Sequence, residues 1–172
     1  METIKISKND PYFEDLYVLI KSVKAVPKSE SRLHLTHLMY HDGKLYNTDG
    51  KTAAYMEITL PGIDGRCYIE VISCTKSQIL LLPISDAWES EHLLEAIDVG
   101  DIWNRESKIS GSVDFVFCEI CRALPEDRNV KIEYFLSFAK HFDWIEAHVE
   151  EKTERVVVVG GRVTFVQMFM RI

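Results

Sequence analysis

Between Leu33 and Ile58 the chain sets apolar runs against two Asp-Gly turns, and this pattern constrains the fold more than any other feature. Leu33 to Tyr40 runs into His41-Asp42-Gly43-Lys44, Leu45 to Asn47 runs into Thr48-Asp49-Gly50-Lys51, and Thr52 to Ile58 follows. Asp-Gly readily supplies the positive φ that tight hairpins demand, so the runs predict consecutive antiparallel strands. After the break at Pro61-Gly62-Ile63-Asp64-Gly65, Cys67 to Ile72 and Gln78 to Leu82 predict two more. Val156 to Val159, the Gly160-Gly161 turn and Val163 to Ile172 predict a further hairpin, and Ile145 to Glu150 alternates like a strand.

Helical spacing interrupts this strand pattern. Residues 2–7 alternate as a short strand, and Asp10 then offers an N-cap oxygen ahead of Pro11. Phe13, Leu16, Ile20 and Val23 form an apolar stripe, with Glu14 and Asp15 near the positive end of the helix dipole and Lys21 and Lys24 near the negative end. Pro27 stops the helix, which is placed at residues 11–25. A second helix is predicted over Ile132 to Phe142, with Phe135, Phe138, Ala139 and Phe142 on one face. Asp86 to Ile97 fits a short helix, and Val113 to Leu124 fits either a strand or a helix.

The resulting class is α+β, with helices on one face of an antiparallel sheet. Each half reads as a helix followed by a meander. The boundaries are 1–97 and 113–172, joined by a polar, acidic linker over 98–112, all within a single domain of 172 residues. An apolar content of 47% and a charged content of 27% exclude a disordered chain, a collagen-like chain and a disulfide scaffold. The longest apolar run, Ile79 to Leu82, ends at Pro83, far short of the roughly 20 residues that span a bilayer, so no membrane association is expected. Four cysteines behind an N-terminus that lacks signal-peptide character imply reduced thiols and a cytoplasmic protein.

The net charge of −7 is uneven: residues 87–130 hold ten acidic and four basic side chains. Nucleic-acid binding by phosphate neutralisation needs a basic face, which here could only be local. No phosphate-binding glycine loop, dinucleotide fingerprint or Gly-x-Ser-x-Gly elbow occurs, so no enzyme and no cofactor are predicted. His34, His37 and His41 would share a face on a helix and could there bind a metal, but on the predicted strand His34 faces away from the other two. Cys118-Glu119-Ile120-Cys121 is a single Cys-x-x-Cys without the second pair of a structural zinc site, and reads as two buried or half-buried thiols. Trp88, Trp103 and Trp144 read as core or sheet packing, with partner binding as the alternative.

Two stretches resemble the DNA sliding clamp family, the bacterial polymerase processivity ring. Ser31-Arg32-Leu33-His34-Leu35 through Leu45-Tyr46-Asn47-Thr48-Asp49-Gly50-Lys51-Thr52-Ala53 is similar to an Arg-led apolar run followed by a strand ending in a Thr-Asp-Gly-His-Arg-Leu-Ala-like turn. Thr48, Asp49, Gly50 and Ala53 match, whereas Lys51 and Thr52 replace His and Arg. Met168-Phe169-Met170-Arg171-Ile172 looks like the family's Met-Pro-Met-Arg-Leu tail, with Phe169 in place of Pro, and Ala123-Leu124-Pro125 is similar to the turn before the second-half strands. The pattern covers most of the chain as one clamp domain, whereas a bacterial clamp subunit carries three.

The resemblance implies a non-enzymatic accessory protein of replication or repair that assembles from several copies, because one domain cannot close a ring. It implies helices lining a concave surface that holds DNA weakly, with Lys21, Lys24, Lys28 and Lys140 facing the duplex. It also implies an apolar pocket for partner peptides of replication or repair proteins, lined by Met168, Phe169 and Met170. The alternatives are a stand-alone protein-interaction module of the same fold that does not bind DNA, and a metal-binding protein using His34, His37 and His41. Ordinary solvated lysines and a core-packed final strand fit the same residues.

Overall fold

The computed structural model describes residues 2–23, 32–85, 108–150 and 153–171. Twelve strands and four helices are found among them. The strands are β1 (Ile4–Ser7), β2 (Leu38–His41), β3 (Lys44–Thr48), β4 (Thr52–Glu57), β5 (Cys67–Cys74), β6 (Gln78–Ser85), β7 (Ile109–Ser112), β8 (Arg128–Asn129), β9 (Trp144–Glu150), β10 (Arg155–Gly160), β11 (Val163–Met168) and β12 (Met170–Arg171). The helices are α1 (Phe13–Ser22), α2 (Leu33–Thr36), α3 (Val113–Ala123) and α4 (Ile132–Ala139).

Ten strands form one sheet in the order β1-β6-β5-β2-β3-β4-β11-β10-β9-β7, and β12 pairs with β8 apart from it. Every pairing is antiparallel, as hairpin-linked strands dictate. Asp42 (φ 48°) and Gly43 (φ 77°) are both left-handed, the condition for the two-residue turn between β2 and β3. The two halves of the chain meet where β4 pairs with β11, from Val163 opposite Met56 to Gln167 opposite Thr52.

The sheet buries both faces at its centre. Val156 and Val158 of β10 join one apolar cluster, and Val157 and Val159 join another. That explains why β10 reads as an unbroken valine run instead of an alternating one. The first cluster holds Phe13, Leu16 and Leu19 of α1, Val116 and Ile120 of α3, and Phe135 and Phe138 of α4, whereas the second holds strand residues alone. These three helices therefore share one face of the sheet. Each large side chain buried there contributes about 1.5–3 kcal/mol of transfer free energy.

Side chains from the sheet and from α4 close the end of α1. The last carbonyls of a helix lack intrahelical partners. Asn47 of β3 donates from Nδ2 to the Leu19 carbonyl at 3.1 Å, and Ser137 of α4 places Oγ 2.6 Å from the Ser22 carbonyl. Val23 is extended, so α1 ends before the predicted residue 25. At its start the Asp10 carboxylate accepts from the Tyr12 amide at 2.9 Å, which makes Asp10-Pro11 a turn leading into Phe13 rather than the first helical turn itself.

Three further expectations need correction, and the alternative left open at 113–124 is decided. The run from Leu33 begins as the one-turn helix α2, because burial of Leu35 beside the Gly50 turn overrides strand propensity, and the strand starts at Leu38. Residues 113–123 form a helix, with Val116 and Ile120 one turn apart on its buried side. The second predicted helix stops at Ala139, three residues short of Phe142. Residues 109–112, read as the end of a linker, form β7 and pair with β9. The helix expected at 86–97 lies outside the described residues.

Candidate functional site

Two regions carry the predicted site residues, and the fold keeps them distinct. The first is the helix side of the sheet. Lys21 is exposed in the last turn of α1, with Nζ 5.8 Å from the centre of the Tyr17 ring. Tyr17 meets the His141 ring edge-on at 6.2 Å, and exposed Lys140 precedes His141 at the end of α4. The contact between α1 and the end of α4 thus sets Tyr17, with Lys21 over its ring, against the residue that follows Lys140. Lys24 and Lys28 lie outside the described residues. His141 is packed with Nε2 buried and without a hydrogen-bond partner among the described residues. Burial, with a smaller contribution from Lys140, holds its imidazole below the ordinary histidine value.

Several cations on the neighbouring elements are engaged with acidic or aromatic side chains. Arg122 binds Glu119 within α3, and Arg128 binds Asp127 and Glu154. Lys131 stands over the Tyr134 ring at 5.4 Å and 3.8 Å from Glu133. Arg162 stacks over Tyr12 at 5.0 Å near Asp15. Of the four lysines expected to face a duplex, Lys21 and Lys140 lie among the described residues, and both are exposed.

The second region is the C-terminal strand. Met168 is 45% exposed, Phe169 is half-buried against the helix-side core, and Met170 is half-buried in β12. The Phe169 amide donates to the Glu154 carbonyl at 2.7 Å. Met170 stands opposite Asn129 in the β8–β12 pair, and Asn129 lines an open groove of about 620 Å³ with Phe117, Val130, Lys131, Ile132 and Glu133. The Met-Phe-Met segment therefore divides: Met168 faces solvent, Phe169 packs on the core, and Met170 pairs with a residue that lines the groove.

The alternative of a metal site at His34, His37 and His41 finds no assembled ligand set among the described residues. No group of three His, Cys, Asp or Glu side chains able to hold a metal ion occurs among the described residues. His37 is engaged with its neighbour, Nδ1 lying 2.8 Å from Thr36 Oγ1, and His41 pairs with Asp42 at 3.6 Å. The helix-to-strand change at Thr36 breaks the spacing that would have aligned the three imidazoles.

The sequence reading missed an exposed apolar surface. Phe115 of α3 and Ile132 of α4 are each 51% exposed, and Trp144, read as packing, is 64% exposed at the start of β9. Cys118 and Cys121, read as buried or half-buried, are both exposed on α3. The helical phase of Val116 and Ile120 was the signal that could have placed these thiols outside. No helix among the described residues is long and apolar enough to cross a membrane.

An antiparallel sheet of two joined halves, with helices gathered on one face and a short C-terminal strand folded back beside them, defines a DNA-clamp-like architecture. Solved structures give that architecture its relatives: the chain has a bacterial-sliding-clamp-like fold. It superposes on the Helicobacter pylori beta clamp bound to a DNA ligase peptide with a TM-score of 0.60 and 12% identity, over 98% of this chain and 66% of that one. The DNA polymerase III subunit beta of Pseudomonas aeruginosa gives a TM-score of 0.56 and 12% identity over 98% and 66%. The Caulobacter crescentus beta sliding clamp gives 0.56 and 15% over 100% and 66%. The chain thus spans just under two thirds of the length of these clamps. No protein-family model matches the sequence, and no curated protein matches it.

Proposed function

We propose that this chain is a non-enzymatic, cytoplasmic, clamp-like accessory protein of DNA replication or repair, folded as one domain in two halves. The observation that carries the reading is the gathering of α1, α3 and α4 on one face of a sheet built like that of the bacterial clamps over nearly the whole chain. DNA contact is weak and local. Lys21 and Lys140, with Lys24 and Lys28 alongside in sequence, neutralise a few phosphates against a net charge of −7. Assembly uses the terminal strands of the described sheet, β1 and β7. Each presents ladder groups to a neighbouring copy, so head-to-tail contacts close a ring.

Light scattering across a concentration series tests this directly. A discrete closed multimer of about six copies supports the ring, because closed symmetry fixes a size. A monomer or dimer at every concentration sinks encirclement by this chain alone. Duplex binding should weaken steeply with salt and fall when Lys21, Lys24 and Lys28 are replaced by Glu.

One specific feature favours a second reading, a protein-interaction module that does not encircle DNA. The groove beside β8 holds Phe117, Val130 and Ile132, and Met168 is exposed on the C-terminal strand. Methionine suits varied apolar partners, and the ligase peptide on the H. pylori clamp makes a peptide of a replication or repair protein the natural occupant. Peptide capture by a monomer with no measurable affinity for duplex DNA decides for this reading.

A further inference from the structure

Cys118 and Cys121 stand three residues apart on the exposed side of α3, opposite the buried Val116 and Ile120. Burial raises the Cys121 thiol above its ordinary value, and the charge of a thiolate at nearby Cys118 adds to this. Glu119, between them, has its carboxylate on Arg122, so the pair presents two sulfurs without a hard oxygen between them. Phe115, three residues before Cys118, is exposed as well.

The spacing decides which chemistry two such thiols support. Side chains at i and i+3 of a helix keep their Cβ atoms about 5–6 Å apart. A disulfide requires Cβ atoms within about 3.5–4.5 Å, so direct S–S bonding would distort α3. A single ion between the sulfurs adds two bonds of about 2.3 Å each and spans the same gap with the helix intact. Thiolate pairs select soft d10 cations over magnesium or calcium.

We propose that Cys118 and Cys121 chelate one soft, thiophilic divalent cation of the zinc and cadmium class, in an open two-sulfur site on α3. Two S–H bonds are replaced by two S–metal bonds, and both protons pass to solvent, so no oxidant is involved. With no third ligand from the described residues, the remaining coordination positions take water or an exogenous donor. Such a site exchanges its ion, unlike a closed four-ligand structural site.

The test is a titration of the reduced full-length protein with Cd²⁺, followed by the ultraviolet thiolate-to-metal charge-transfer band in the presence of a competing chelator. The expected end point is one ion per chain. Cys118→Ser and Cys121→Ser should each lower the affinity by about 100-fold or more, because the second thiol acts at high effective concentration. Cys74→Ser should leave the titration unchanged. Cys118 and Cys121 are exposed, so the variants keep the fold, which circular dichroism verifies, and Cys118→Ala checks that the introduced hydroxyl is not responsible. Single-serine variants that bind as tightly as the native chain would overturn the chelate. So would an end point of one ion per two chains, or no charge-transfer band with both thiols reduced.

Discussion

Phe142 fills the space into which any side chain at Gly160 would grow: a Cβ built on Gly160 falls 2.5 Å from Phe142 Cδ2. Gly160 ends β10, and Phe142 packs on the Phe138 ring at 5.0 Å, so this contact seats the end of α4 on the sheet. Gly160→Ala is expected to destabilise the protein by about 1–3 kcal/mol through overpacking. Because the cause is one ring, Phe142→Ala should absorb part of the cost. The double variant is then more stable than the sum of the single variants predicts, by at least about 0.5 kcal/mol. Urea midpoints at constant m-value measure all three. Strict additivity would place the strain elsewhere.

The hairpins were legible because their turns carry backbone demands in the sequence itself. Asp42-Gly43 can adopt two consecutive positive φ values at little cost, and Asp49 accepts from the Thr52 amide at 2.7 Å to close the next turn. Helix α2 was not legible. Four residues have no period, and the burial that selects Leu35 comes from distant chain. Trp144 shows a different limit. Alternation along β9 puts Trp144 on the face opposite Ile145 but cannot tell what, if anything, covers it. The same holds for the candidate site: lysine spacing marks a helix face, whereas the ion pairs that consume Arg122, Arg128 and Arg162 arise only from the fold.

Asp15 offers a second long-range tie. Its Oδ1 accepts from the Arg162 amide at 3.2 Å, linking the first turn of α1 to the β10–β11 turn. Asp15→Ala leaves that amide to solvent and is expected to cost about 1–2 kcal/mol, in the range of hydrogen bonds to charged groups at a partly exposed site. Asp15→Asn keeps an acceptor and should cost less than half as much. Chemical denaturation of the two variants checks the order, and equal losses would assign the effect to the carboxylate's charge, acting on the helix dipole and on Arg162.

Met168 and Phe169 are neighbours with opposite burdens. Met168→Ser removes exposed apolar surface, so unfolding should change by less than about 0.5 kcal/mol. Phe169→Ser removes a side chain packed on the core and should cost about 2 kcal/mol or more. If the C-terminal segment captures partner peptides, Met168→Ser weakens capture with stability intact, whereas Phe169→Ser weakens both. Peptide titration beside thermal denaturation separates them. Unchanged capture by Met168→Ser would remove Met168 from the proposed pocket.

His141 gives the fold a pH dependence whose sign follows from its surroundings. Burial, then the Lys140 charge, disfavours the imidazolium. The imidazolium carries an N–H at Nε2, a buried atom with no hydrogen-bond partner among the described residues. The folded chain therefore binds a proton at His141 less readily than the unfolded chain, whose histidine titrates near 6.5. Stability rises with pH wherever the unfolded state holds more protons. The contribution is present above the unfolded value and is lost as pH falls from there through the lower, folded value. Comparing the native chain with His141→Gln cancels the other titrating groups. The native chain should lose more stability than His141→Gln between pH 8 and about pH 5, and the two should run parallel above pH 8. Replacing Lys140 by Gln removes the smaller cause and should shrink the difference without abolishing it, because burial remains. Parallel curves over the whole range would show that the imidazole reaches solvent in the folded state.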